Sequence, residues 1–390
     1  MARPVDVAPA RTASLADIGL ERGWEPAALL VTTLLLLAFG LVTLYSASAF
    51  LARSQALPDY YYVLRQISGA AIGLAALALC ARVPYRTWRH LAWPMVIGVW
   101  ILLMILIIPG TESIAPKING AHRWLRVGVT IQPSELAKVA VVVWTAALAV
   151  KKGESFRSLR KGLLPFLVVW CALLVPIALQ PDFSTAALVG LMGALVVYAA
   201  GGRIGHFVFL ALLALPAVWR ELSVTFRARR LAAFLDPSAD PAGAGFQVKQ
   251  SLIALGSGGL AGVGFGQGRQ RFGFLPEAHN DFIFAMIGEE WGLIGVVVTV
   301  GLYVILILVG FRIASQARDH FGELLAIGLT GMIALQAFLH MAVGLSLVPP
   351  TGLALPLISY GRSNMVVTLL AIGILMAVAR ETEQMRLSGA

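Results

Sequence analysis

A carboxylate directly ahead of a long apolar helix needs a physical reason to be there. Asp281 is such a group. It closes the polar stretch Pro276, Glu277, His279 and Asp281, and an apolar run begins at Phe282. Three roles fit an acidic residue at that boundary. It caps the helix, it serves as a general base, or it ligates a divalent cation such as magnesium or manganese. Glu277 and His279 lie close enough in sequence to share whatever site it makes. Glu289 and Glu290 follow about 12 Å deeper along the helix. Beside the small residues Gly288, Gly292 and Gly295 they call for polar partners inside a bundle.

A second group lies in 118-INGAHRWLRVGVTIQPSELAK-138. Asn119 and Gly120 signal a turn. Gln132 precedes Pro133 and Ser134, which open a helix with Glu135 in its first turn, where a carboxylate suits the positive end of the dipole. Lys138 is three residues on, so Glu135 and Lys138 share a helix face. Either the two form a structural ion pair, or Lys138 and Arg123 hold a phosphate while Glu135 fixes the lysine. Arginine suits bidentate phosphate contact.

Two further places are less pointed. The stretch 349-PPTGLALPLISYGRSN-364 carries three prolines and two glycines. It predicts irregular backbone, tolerated at membrane depth only inside protein or beside a wet cavity; Ser359, Tyr360, Ser363 and Asn364 are its candidate lining. The turn 180-QPDFST-185 contains Asp182, read as a simple Asp turn. The glycine-rich run from Gly256 to Gly268 lacks the ending of a phosphate-binding loop and the spacing of a dinucleotide fingerprint. Tight turns with positive φ account for it; a flexible lid over a substrate groove is the alternative.

The elements that must position these groups are membrane helices. Apolar residues make up 58% of the 390-residue chain and charged ones only 13%, about half the charged share of an average soluble domain. A soluble enzyme is excluded. The apolar runs fall at 27–50, 63–81, 91–108, 136–150, 163–180, 186–200, 206–222, 282–311, 323–345 and 364–379. They predict an all-α polytopic membrane protein of about ten spans. The first run is too long for a signal-peptide core and is expected to remain as a spanning helix. Cys80 and Cys171 sit inside apolar runs and make no disulfide framework.

Orientation follows from basic residues in short loops. With both termini cytoplasmic, Arg82, Arg86, Arg89, Lys151, Lys152, Arg157, Arg160, Lys161, Arg312, Arg318, Arg380 and Arg386 all lie inside. The expected organisation is a cytoplasmic tail over 1–26, one transmembrane domain over 27–380 and a cytoplasmic tail over 381–390. Residues 223–281 form a large outer loop between helices seven and eight. That loop and residues 109–135 are nonetheless basic. The net charge of +10 is spread over both membrane faces, which argues against nucleic acid. On the outer face it suits a phosphate-bearing lipid.

These segments, in this order, resemble the SEDS family of bacteria (shape, elongation, division and sporulation). The resemblance rests on Asn119-Gly120 with Arg123-Trp124, 132-QPSELAK-138, 181-PDFST-185, 229-RRLAAFLDP-237, 246-FQVKQSLIALGSGGLAGVG-264, 275-LPEAHNDFIFAMIGEE-290 and 355-LPLISYGRSN-364. It covers nearly the whole span from first helix to last. Tyr45-Ser46-Ala47-Ser48 and Glu277-Ala278-His279 look more like the division branch, FtsW, than the elongation branch, RodA. Asn280 departs from a usual Thr, Ser184 from a usual Gly, and Arg362 and Asn364 from the usual S-Y-G-G-S-S.

The resemblance implies a multi-pass protein of the bacterial inner membrane. It implies a peptidoglycan glycosyltransferase that polymerises lipid II beside a class B penicillin-binding protein and other divisome or elongasome membrane proteins. The family's essential acid maps onto Asp281. Its substrate-binding pattern maps onto Arg123, Gln132, Glu135 and Lys138, with Glu277, His279 and Ser359 as further candidates. Two rival functions stay open: a lipid II flippase, which needs a polar path past Glu289, Glu290 and Lys138, and a scaffold that only recruits the penicillin-binding protein.

Overall fold

The computed structural model describes residues 23–118, 120–153, 162–236, 240 and 243–388. The turn residue Asn119, the tail before Gly23 and the basic residues Arg157, Arg160 and Lys161 lie outside them. The elements in chain order are α1 (Glu25–Ser54), α2 (Tyr61–Arg82), α3 (Tyr85–Ile105), β1 (Leu125–Val127), β2 (Val129–Ile131), α4 (Pro133–Lys152), α5 (Leu164–Leu179), α6 (Phe183–Ala199), α7 (Ile204–Leu222), α8 (Thr225–Leu235), α9 (Ala244–Ser257), α10 (Ile283–Gln316), α11 (His320–Gly344) and α12 (Arg362–Ser388).

Seven of these helices are long and apolar enough to cross a membrane, and α5, α6 and α7 are shorter apolar helices. Each apolar run of the sequence becomes one of these ten. Proline opens α4 at its first position, where its missing N–H costs nothing. Asp182 caps α6 by accepting from the Thr185 amide at 3.4 Å. Helices α2 and α12 approach closely because glycine faces backbone: a Cβ on Gly373 would lie 2.5 Å from the Leu77 carbonyl. Cys80 is buried and Cys171 is exposed.

Charges sort to the two ends. At one end Arg312 donates to Glu25 at 2.8 Å, Arg86 to Asp319 at 3.1 Å and Arg380 to the Arg82 carbonyl. At the other end gather the starts of α4, α6, α10 and α12 and the segments leading into them. That end carries the candidate site. Two features there go beyond the sequence reading. The segment before α4 holds a small antiparallel hairpin, β1 with β2, and the long segment before α10 holds α8 and α9. Both helices are too short to register as spans.

Helix α10 is broken at Gly292, where φ is 63°. A break frees amides and carbonyls that bilayer lipid cannot satisfy. The glycine-rich run supplies the partners. Leu293 and Ile294 donate to the carbonyls of Gly259 (2.9 Å) and Leu260 (3.1 Å), and Val263 and Gly264 donate to those of Glu289 (3.0 Å) and Glu290 (3.2 Å). The run is therefore docked rather than a free lid. Its glycines serve close approach as well as turns: a Cβ on Gly262 would stand 2.1 Å from the Glu290 carbonyl, at a φ of +82°. Glu289 accepts from the amides of Arg269 (2.8 Å) and Gln270 (3.3 Å), and Glu290 from Ser46 of α1.

Because neither the backbone angle nor the space admits a side chain, Gly262→Ala is expected to cost at least about 2–3 kcal/mol. Limited proteolysis of the purified membrane protein checks this: cleavage within 256–268 should rise sharply over wild type.

Candidate functional site

Asp281 is positioned by a turn, not by a cap. The amides of Asn280 and Asp281 both donate to the Glu277 carbonyl at 3.0 Å. Glu277 itself takes a left-handed conformation, φ 53°. The residue at the helix N-cap is Phe282, and no side chain bonds to the first turn. The capping role open to Asp281 on sequence is thereby corrected: the turn sets it one residue too early. Its Oδ1 is buried and accepts no hydrogen bond among the described residues. The other oxygen faces the backbone of the α11–α12 segment, where a Cβ on Gly352 would stand 3.6 Å from Oδ2.

A carboxylate kept from water and given no donor holds its proton tightly. Burial is the main cause, and the nearby Glu277 charge adds to it; together they push the Asp281 carboxyl up from 3.8 to about 7. Arg230 and, more weakly, Arg123 oppose the rise. Burial raises Glu277 as well. His279 is driven down to about 4 by burial, so it is neutral, and it packs between the rings of Tyr62 (5.2 Å) and Tyr360 (5.7 Å).

Arg230 is the site residue that sequence reasoning missed. It sits on α8 and donates to the Pro350 carbonyl at 3.1 Å. The signal was present, as a run of basic residues in an outer segment, but spacing alone did not single out one arginine. Arg123 comes from the segment before β1 and is held by the turn between α5 and α6. Its Nε donates to the Gln180 carbonyl at 3.1 Å and Nη2 to that of Pro181 at 2.6 Å. Both guanidinium charges act on the same carboxyl.

Glu135 and Lys138 are elsewhere in the network. Lys138 is 1% exposed. Its Nζ donates to Glu135 Oε2 at 2.7 Å and to Gln336 Oε1 of α11 at 2.7 Å. Asn364 of α12 donates to the same glutamate oxygen at 2.9 Å. Gln132 joins this group through its amide, which donates to Ser363 Oγ at 3.0 Å. The hydroxyl of Ser359 is fully engaged: it donates to the Asn280 carbonyl at 2.7 Å and accepts from the Leu355 amide at 2.8 Å. The structure thus brings Asp281, Glu277, Arg123 and Arg230 together. It places Lys138, Glu135 and Gln132 in the scaffold that joins α4, α11 and α12.

Among the described residues no three His, Cys, Asp or Glu side chains gather as a metal site.

The chain matches the family model described as "Cell cycle protein", FtsW/RodA/SpoVE, over residues 27–384. It is 41% identical over 353 residues to a protein of Geobacter metallireducens named "Probable peptidoglycan glycosyltransferase FtsW", covering 90% of this chain and 93% of the relative. It is 40% identical over 355 residues to "Stage V sporulation protein E" of Bacillus subtilis, covering 90% and 96%. Among solved structures, a chain of a peptidoglycan synthase complex described as coordinating polymerization and crosslinking superposes with a TM-score of 0.74 at 31% identity, covering 91% of this chain and 97% of that one. The rod shape determining protein RodA of Thermus thermophilus superposes at 0.66 with 26% identity, covering 93% and 98%.

Two outcomes follow for stability. A carboxyl raised in the folded state stabilises fully below its unfolded value, and that contribution is lost as pH rises through about 7. A shift of this size bounds the loss at about 4 kcal/mol. Asp281→Asn cannot ionise, so its melting temperature should gain on wild type between pH 5 and pH 8. Glu135→Ala strands a buried lysine and should cost about 3–5 kcal/mol, with Glu135→Ala plus Lys138→Met less damaging than the single change; thermal melts of the detergent-solubilised protein check both.

Proposed function

The chain belongs to the FtsW/RodA/SpoVE family, and on that premise we propose that it polymerises lipid II into peptidoglycan glycan strands at the outer face of the bacterial cytoplasmic membrane. The observation that carries this reading is the buried Asp281 oxygen without a donor, set beside two arginines. A base must be ionisable near working pH and must keep a lone pair free for the incoming proton. Asp281 meets both conditions.

The reaction is an inverting transfer. The Asp281 carboxylate takes the proton from the 4-hydroxyl of an incoming lipid II, and the freed oxygen attacks the anomeric carbon of the growing strand. The bond from that carbon to the diphosphate breaks. The leaving diphosphate gathers negative charge, which Arg123 and Arg230 stabilise. Glu277 keeps Asp281 basic through its own charge. His279, neutral among aromatics, shapes the wall of the site without adding charge. Lys138 acts at a distance, by fixing α4 against α11 and α12.

The topology that suits this reading places the Asp281 end outside and the Arg312–Glu25 end in the cytoplasm, in line with the basic short loops. The crosslinking partner is a class B penicillin-binding protein. A flippase would need polar groups free to follow a substrate through the bilayer. Glu289 is held by two backbone amides, Glu290 by Ser46, and Lys138 by Glu135 and Gln336, which favours chemistry at one face.

Purified protein reconstituted with lipid II and its partner provides the test. Asp281→Asn should lower the polymerisation rate by about 10²–10⁴-fold. The wild-type rate should rise with pH and level off above about 7, since only the ionised carboxylate accepts a proton. Glycan strands of wild-type yield from the Asn variant would remove the base role, and a pH-independent rate between 5 and 8 would remove the assignment of its titration.

A further inference from the structure

Asp281 has no hydrogen bond to hold its side chain, so its aim is inherited from its backbone. What fixes that backbone is therefore part of the machinery. The peptide carbonyls of the two preceding residues are both held by the segment between α11 and α12. The Ser359 hydroxyl donates to the Asn280 carbonyl at 2.7 Å, and the Tyr360 amide donates to the His279 carbonyl at 3.1 Å.

That segment is irregular backbone, and it is held in turn by one side chain from another helix. Gln66 lies on α2, between Arg65 and Ile67, and is 0% exposed. Its Nε2 donates to the Ser359 carbonyl at 3.0 Å. Its Oε1 accepts from the Gly361 amide at 3.1 Å. A primary amide offers a donor and an acceptor side by side, and here it spans Tyr360 on both flanks. One turn on, Gly69 lets α2 press against Arg362, whose Cα would lie 3.2 Å from a Cβ at that glycine. The clamp has little room to slide.

We propose that Gln66 is a positioning residue for Asp281. It holds residues 359–361, which hold the carbonyls of His279 and Asn280, and so sets where the carboxyl points. The inference rests on the reading of Asp281 as the base. With the clamp released, the segment carrying Gly352 draws away from the carboxyl and water enters. The charged groups facing Asp281 are Glu277 on its own segment, Arg230 on α8 and Arg123 before β1. None of them contacts Gln66, so a change in the behaviour of Asp281 would come through the backbone.

The test uses full-length protein in lipid, with Gln66→Met, which keeps the length of the side chain and removes both hydrogen bonds. Ser359→Ala breaks the relay at its other end and serves if the methionine variant folds poorly. The first readout is independent of activity: the pH dependence of carbodiimide labelling at Asp281, followed by peptide mass. The second is polymerisation of lipid II. In both variants the labelling midpoint should fall by at least one pH unit toward the ordinary carboxylate range. The kcat should drop tenfold or more with KM within twofold, and the double variant should be no worse than either single one. Thr145→Val removes the buried bond from Trp170 and should leave the midpoint in place.

A midpoint unchanged in both variants overturns the proposal, whatever the melting temperatures do. A midpoint that moves equally in Thr145→Val overturns it as well, because the effect would then be general loosening. If wild-type protein makes no glycan, the base role of Asp281 fails, while the labelling still decides the contact.

Discussion

Backbone polar groups cannot be left unpaired in a bilayer, and this constraint shapes every irregular part of the molecule. Where a helix runs unbroken, the requirement is met internally. Where it is broken, the missing partners must come from elsewhere in the chain. The break in α10 at Gly292 draws in the glycine-rich run, whose amides and carbonyls pair with those released by the break. The segment between α11 and α12 draws in two side-chain amides and an imidazole instead. Gln66 takes the Ser359 carbonyl and the Gly361 amide, Gln336 the Ala354 carbonyl, and His340 the Leu353 carbonyl. Each irregular segment is thereby tied to at least one spanning helix, and the second also lies against Asp281 through Gly352.

Against that background the carboxyl of Asp281 is an exception. Nearly every other buried carboxylate described here has a donor: Glu135 has Lys138 and Asn364, Glu289 has two amides, and Glu290 has Ser46. Glu290 still keeps one unpaired oxygen, Oε2, beside the one that Ser46 binds, whereas Asp281 accepts no side-chain hydrogen bond at all among the described residues. A group left unsatisfied in this way costs stability, and proteins retain such costs where the group has work to do. The pairing of Glu135 with Lys138 shows the opposite solution in the same protein. There a charge is neutralised by a partner three residues away on one helix and locked by neighbours from two others. The first arrangement suits proton transfer and the second suits rigidity.

Much of the fold could be read from the residues. Ten apolar runs became ten apolar helices because each run is long relative to its breaks and its ends carry proline, glycine or charge. Asp281 stood out because a lone acid at the start of a long apolar helix has few reasons to exist. Its cap role did not follow, because the Glu277 turn shifts the helix start to Ile283, and a one-residue shift is below what periodicity resolves. The short helices α8 and α9 were hidden inside a loop too polar to show a span. The hairpin of β1 and β2 has only three residues on each side. Gln66 was invisible for a different reason: one glutamine beside Arg65 at the start of an apolar run gives no pattern, and its partners lie almost 300 positions away in sequence.

The positions that depart from the family pattern are informative on this view. Arg362 and Asn364 stand at the start of α12, where glycine or serine is usual. Asn364 adds a donor to Glu135, so the buried acid is bonded by α12 as well as by its own helix. The stem of Arg362 packs on Gly69 of α2, one turn from Gln66. Both side chains therefore join α12 to its neighbours near the segment that carries Ser359. They introduce larger side chains where smaller ones suffice elsewhere, and the small residues of α2 make the room. Two conditions hold at once around the carboxyl: the backbone of residues 359–361 is clamped by Gln66, and Oδ1 of Asp281 has no donor.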